Sequence, residues 1–118
     1  METTMSLRAK HCRPCEGGVV PLTPADLKPY LENLPGWELS GDGKLLSRSF
    51  VMKNFMAGID LVNKIASLAE EESHHPDIHI TGYRNLRIEL WTHAIGGVSM
   101  NDVILAAKID GLPKAVKV

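Results

Sequence analysis

One long stretch of helical periodicity, flanked on each side by a pair of short alternating runs, constrains this chain more than any other feature. After Asn54, the residues Phe55, Ile59, Val62, Ile65, Ala66 and Ala69 recur on one face, while Asp60, Asn63, Lys64, Ser67 and Glu70 lie elsewhere. Pro76 disfavours helical geometry in the residue before it, so the spacing predicts a helix ending near His74 or His75. Upstream, residues 37–40 and 44–51 flank Gly41-Asp42-Gly43, a composition that turns between antiparallel strands. Downstream, Ile78 and Ile80 alternate with Asp77, His79 and Thr81, and Gly82 marks a turn. Residues 83–93 then place Leu86, Ile88 and Leu90 on one face and Arg87, Glu89, Trp91 and His93 on the other. His79 reads as a surface strand residue with no catalytic role.

Two shorter helices complete the pattern. Thr23 is a helix cap, Pro24 suits the first turn and Asp26 is a capping-box acid, followed by the stripe Leu27, Tyr30, Leu31, Leu34. Pro29 removes a backbone donor and moves the expected start toward itself, and Pro35 and Gly36 end the helix. Near the C-terminus Ser99 caps, Asp102 sits three residues on, Val98 and Val103 form a hydrophobic staple, and Gly111 after Asp110 is the expected left-handed stop. Gly96 and Gly97 read as a flexible connection into that helix. The order α-β-β-α-β-β-α predicts an α+β domain, a four-stranded antiparallel sheet with three helices packed on one face. It occupies residues 22–118. Residues 1–21 show no periodicity and read as an irregular N-terminal arm.

At 118 residues and 44% hydrophobic, the chain suits one core. Lys plus Arg number 13 against 14 Asp plus Glu, which gives no charge signature of direct nucleic-acid binding. No run approaches the roughly 18–20 apolar residues of a membrane span, and the first eleven residues lack the apolar core of a secretory signal. No membrane partner is expected. The cytoplasm is the default compartment, with nuclear or organellar forms left open. On the last helix Met100, Val103, Ile104 and Ala107 fill one arc, and Leu105, Ile109 and Leu112 another. One sheet covers one arc, so the second is expected to meet another copy in a homodimer or homotetramer, unless the N-terminal arm or first helix covers it.

The candidate chemistry lies in histidines at the ends of elements: His74 and His75 after the long helix, and His93 after the last strand. Glu70 precedes His74 by four residues, a helical spacing that lets a carboxylate orient that imidazole. The plain alternative makes all three solvated end residues. A zinc reading, three nitrogens and a water, is weaker because adjacent His74 and His75 point apart and no HExxH spacing exists. His11, Cys12 and Cys15 fall short of a four-ligand structural zinc site, and two reduced thiols are the simpler reading.

The run from Glu70 through Glu71, Glu72, Ser73, His74 and His75 to Pro76, followed by Tyr83, Thr92-His93, Gly97 and Asn101-Asp102, resembles the pterin-4a-carbinolamine dehydratase family. The resemblance runs from about Leu22 to Leu112 and includes Leu34-Pro35-Gly36-Trp37. It implies a hydro-lyase that dehydrates 4a-hydroxytetrahydropterin to quinonoid dihydropterin in tetrahydrobiopterin recycling. No metal and no cofactor are implied. The family's catalytic histidines carry over to His74, His75 and His93, and its substrate contacts to Glu70, Pro76, Thr92, Ala94 and Ile95. Imidazoles can supply both the acid that protonates the leaving hydroxyl and the base that takes the nitrogen proton. The helix-end dipole favours His74 as acid, with His93 as base and His75 orienting the substrate. Ile78 stands where animal members commonly have Trp, and Ala94 where they commonly have Glu. The other role the family implies is a non-enzymatic dimerisation cofactor of a transcription factor.

Overall fold

The computed structural model of the chain describes residues 4–12 and 20–117. Its elements are α1 (Thr4–Arg8), α2 (Pro24–Leu31), β1 (Glu38–Leu39), β2 (Leu46–Val51), α3 (Phe55–Glu72), β3 (Asp77–Thr81), β4 (Asn85–Leu90), a 3-10 turn (His93–Ile95) and α4 (Met100–Asp110). The strands form one antiparallel four-stranded sheet in the order β1-β2-β4-β3. Each hairpin therefore pairs internally, and β2 joins them by pairing with β4.

Cross-strand register builds the core face. Leu46 lies opposite Leu90, Phe50 opposite Leu86, and Ile78 opposite Ile88. These side chains pack with Leu61 and Ile65 of α3 and Val103, Leu105 and Ile109 of α4. Each buried aliphatic contributes roughly 1.5–3 kcal/mol relative to exposure. The opposite face of the sheet carries Ser49, His79, Arg87 and Glu89, as alternation requires. Among the described residues no helix is long and apolar enough to cross a membrane.

Both capping boxes form. Thr23 and Asp26 exchange bonds at 3.1 and 2.9 Å at the start of α2, and Asp102 accepts from the Ser99 backbone at 2.9 Å at the start of α4. Val98 and Val103 are both fully buried, as a staple requires.

Several expectations need correction. The N-terminal arm is not irregular throughout, because Thr4–Arg8 is helical and Leu7 is fully buried in the core. Arg8 Nε donates to the Ala107 carbonyl at 2.8 Å, and Lys108 Nζ donates to the Arg8 carbonyl at 2.7 Å, so this turn is docked on α4. Cys15 lies outside the described residues. Pro29 does not delay α2, which starts at Pro24 and runs through it. Gly111 is not left-handed, with φ −79°; a Cβ there would sit 3.0 Å from Arg8 Nε, so close approach of α1 explains the glycine.

The buried stripe of α3 is Gly58, Leu61, Ile65, Ala69 and Glu72, rotated from the expected one, which leaves Phe55 and Ala66 exposed. The second arc of α4 is also no free surface, since Leu105 and Ile109 are fully buried within the chain. Both belong to the same buried cluster as the sheet residues Leu46, Leu86, Ile88 and Leu90, while α1 docks on α4 at Ala107, Lys108 and Gly111.

Candidate active site

The site forms where three chain ends converge: the exit from α3, the loop after β4 and the first turn of α4. α3 stops at Glu72 because Ser73 takes a left-handed conformation (φ 52°), and the chain reverses there. His74 is therefore off the helical path. It turns back toward α4, where its Nε2 lies 2.6 Å from Asp102 Oδ1, with side-chain exposures of 12% and 0%.

Asp102 is the hub. Its second oxygen, Oδ2, accepts from the Thr92 hydroxyl at 2.8 Å and from the Ser99 N–H at 2.9 Å. Thr92 and Ser99 hydroxyls are 2.7 Å apart. A buried carboxylate is tolerated only when its lone pairs are used, and here both oxygens are engaged. An ionised carboxylate is acceptor-only, so His74 Nε2 carries the proton toward it and Nδ1 is left for exchange with a ligand.

The His93 loop is braced rather than flexible. Thr92 and Gly97 form an isolated antiparallel bridge, with Thr92 N–H donating to Gly97 O at 2.7 Å. Gly96 is left-handed (φ 65°) and closes the 3-10 turn, and a Cβ on Gly97 would sit 2.8 Å from Pro21. His93 itself is exposed and stacks on Trp91, ring centroids 3.9 Å apart.

The expected residues are not all placed as the pattern suggests. Glu70 does not partner His74; it faces His75 at 3.5 Å, with side chains 80% and 61% exposed, because the reversal at Ser73 breaks the four-residue helical spacing. Ala94 is exposed, and Ile95 and Pro76 are half-buried. The Thr92 hydroxyl is spent on Asp102. His79 is exposed and pairs with Glu89 at 2.7 Å. Asp102 was legible as a capping acid and family-motif residue, but its role as partner of His74 was not.

Beside this network lies a second buried carboxylate. Glu72, its side chain 2% exposed, receives the Cys12 N–H at 2.7 Å and His11 Nδ1 at 2.9 Å, and Lys108 Nζ lies 3.9 Å away. Burial pushes its pKa up, but the Cys12 N–H, His11 and Lys108 outweigh that and hold it below the ordinary carboxylate range. The Cys12 thiol is pushed up to about 12 by burial and then by the charges of Glu72 and Asp102, so it stays protonated near neutrality. Among the described residues no cluster of three or more His, Cys, Asp or Glu is arranged to hold a metal.

Residues 20–112 match the family described as pterin 4 alpha carbinolamine dehydratase. The chain belongs to that family. A protein of Dechloromonas aromatica bearing the family's name is 44% identical over 112 residues, covering 95% of this chain and 97% of that protein. The mitochondrial pterin-4-alpha-carbinolamine dehydratase 2 of Arabidopsis thaliana is 43% identical over 90% of this chain and 58% of its own length. Among solved structures, a transcriptional coactivator/pterin dehydratase from Brucella melitensis superposes with TM-score 0.72 and 28% identity, covering 77% of this chain and 96% of that one. A pterin dehydratase-like protein identified as a RuBisCO assembly factor is 22% identical with TM-score 0.55, which shows only that the fold is shared.

Proposed function

We propose that this chain dehydrates 4a-hydroxytetrahydropterin to quinonoid dihydropterin, with His74 and His93 exchanging the protons. The observation that carries the reading is the buried His74–Asp102 contact of 2.6 Å, braced by Thr92 and Ser99. In its charged form the His74 ring donates from Nε2 to Asp102 and from Nδ1 to the leaving hydroxyl. The carbon–oxygen bond breaks and water departs. His93 takes the proton from the adjacent nitrogen as the carbon–nitrogen double bond forms, so atoms and charge balance with no redox change. Trp91, stacked on His93, limits where that ring lies. His75, exposed beside Glu70, orients the substrate.

The test generates the carbinolamine with a phenylalanine hydroxylase and follows its loss by absorbance. The chain should accelerate the reaction above the spontaneous rate, and His74→Ala and His93→Ala should each lower kcat by about 10²–10⁴-fold while remaining folded. Folded variants that turn over like the parent would remove the assignment. A non-enzymatic dimerisation cofactor would show no acceleration in any form.

A further inference from the structure

Glu72 takes no part in the proton transfers above, yet its environment is built. The residue ends α3, two positions before His74, and its neighbours Glu70 and Glu71 are exposed. Its carboxylate instead points inward and holds the N-terminal segment through His11 Nδ1 at 2.9 Å and the Cys12 N–H at 2.7 Å. Cys12 reaches the other way, its thiol donating to the Asn101 carbonyl at 3.5 Å, and Asn101 immediately precedes Asp102. Residues 11 and 12 therefore bridge the last turn of α3 and the first turn of α4. Those two turns supply the two partners of the 2.6 Å His74–Asp102 contact. Between Glu72 and His74 lies only Ser73, whose left-handed conformation aims the imidazole.

We propose that Glu72 is a positioning residue: by clamping His11 and Cys12 across the gap between α3 and α4 it sets the separation of His74 from Asp102. The kinetic arm of this inference rests on the dehydratase reading; the structural arm does not. A contact used for proton transfer is sensitive to displacements of about 1 Å, which cost as much as 10²-fold in rate. Loosening the clamp acts on that contact without removing either partner.

The test uses Glu72→Ala, Glu72→Gln and His11→Ala in the full chain. One readout is the exchange-protected imidazole N–H proton resonance of the His74–Asp102 hydrogen bond, assigned by its loss in His74→Ala. The other is the split between kcat and KM. Glu72→Ala should broaden or shift the resonance and lower kcat about tenfold with KM little changed. Glu72→Gln should restore both, because its amide oxygen still accepts the Cys12 N–H and its NH2 can donate to His11 Nδ1. A folded Glu72→Ala with the resonance and kcat of the parent overturns the proposal.

Should Glu72→Ala fail to fold, His11→Ala decides, since that side chain is 74% exposed and its loss leaves the core intact. It should lower kcat about two- to fivefold and perturb the same resonance, and unmoved values would overturn the proposal. A parent chain without dehydratase activity whose resonance still answers to Glu72→Ala sinks the dehydratase reading and leaves the positioning role standing.

Discussion

Two histidine–carboxylate pairs in this molecule have nearly the same length and different physical meaning. His74–Asp102 spans 2.6 Å with side chains 12% and 0% exposed; His79–Glu89 spans 2.7 Å with side chains 50% and 21% exposed. On the open sheet face, the His79 hydrogen bond outweighs the opposing effect of burial and, with Arg87 adding less, holds Glu89 below the usual carboxylate range. Water still screens that pair, which limits it to about 0–1 kcal/mol. At the first turn of α4 Asp102 is fully buried from such screening, and Thr92 and Ser99 occupy its second oxygen. The lesson is that distance alone does not describe such a pair. Burial and the completeness of the surrounding hydrogen bonds set how it is held.

The largest effect should come from breaking the buried pair. Asp102→Asn replaces an acceptor-only group with an amide, and it should cost about 3–5 kcal/mol in urea melts and lower kcat about 10²-fold or more. A variant of parental stability and rate would erase the contrast with His79–Glu89. Ser99→Ala removes both the cap of α4 and the hydroxyl beside Thr92, and about 0.5–2 kcal/mol should be lost in the same melts. An unchanged midpoint and slope would show that the capping bond contributes nothing.

Acid titration probes the second buried carboxylate, Glu72. Its pKa is lower folded than the ordinary value of 4.5, so the unfolded chain binds more protons in that range. Its stabilisation is present above about pH 4.5 and is lost as pH falls through the depressed folded value. Melts of the parent and Glu72→Gln should therefore converge on acidification, and curves that stay parallel would contradict the assigned environment. His79→Ala should be the smallest change, within about 0.5 kcal/mol and without effect on kcat. A tenfold loss of kcat there would extend the site onto the open face of the sheet.

How far the site was legible depended on how local its partners are. The His-His-Pro run and the Thr-His pair marked chain ends that the fold brings together at Asp102, since helix stop, strand end and glycine loop are all written in neighbouring residues. The partner of His74 was misread because Glu70 obeys helical spacing only if the helix continues, and Ser73 turns left-handed instead. Glu72 was visible in one respect: it follows Ile65 and Ala69 by seven and three residues, so it extends the apolar stripe. A charge on a buried face is a signal that a partner must exist, without saying which.

The sequence by itself determined the four strands and the three longer helices, though not α1. The capping boxes at Thr23–Asp26 and Ser99–Asp102 close within three residues, and the alternation in β4 sets which face is buried, because backbone geometry makes both local. The conformations near the C-terminal end of α4, the burial of Leu105 and Ile109, and the partners of Glu72 and Asp102 were decided only by tertiary structure. His11 meets Glu72 across 61 positions of chain, and His74 meets Asp102 across 28. Such carboxylates become buried only once distant donors arrive together, and no local pattern records which donors those are.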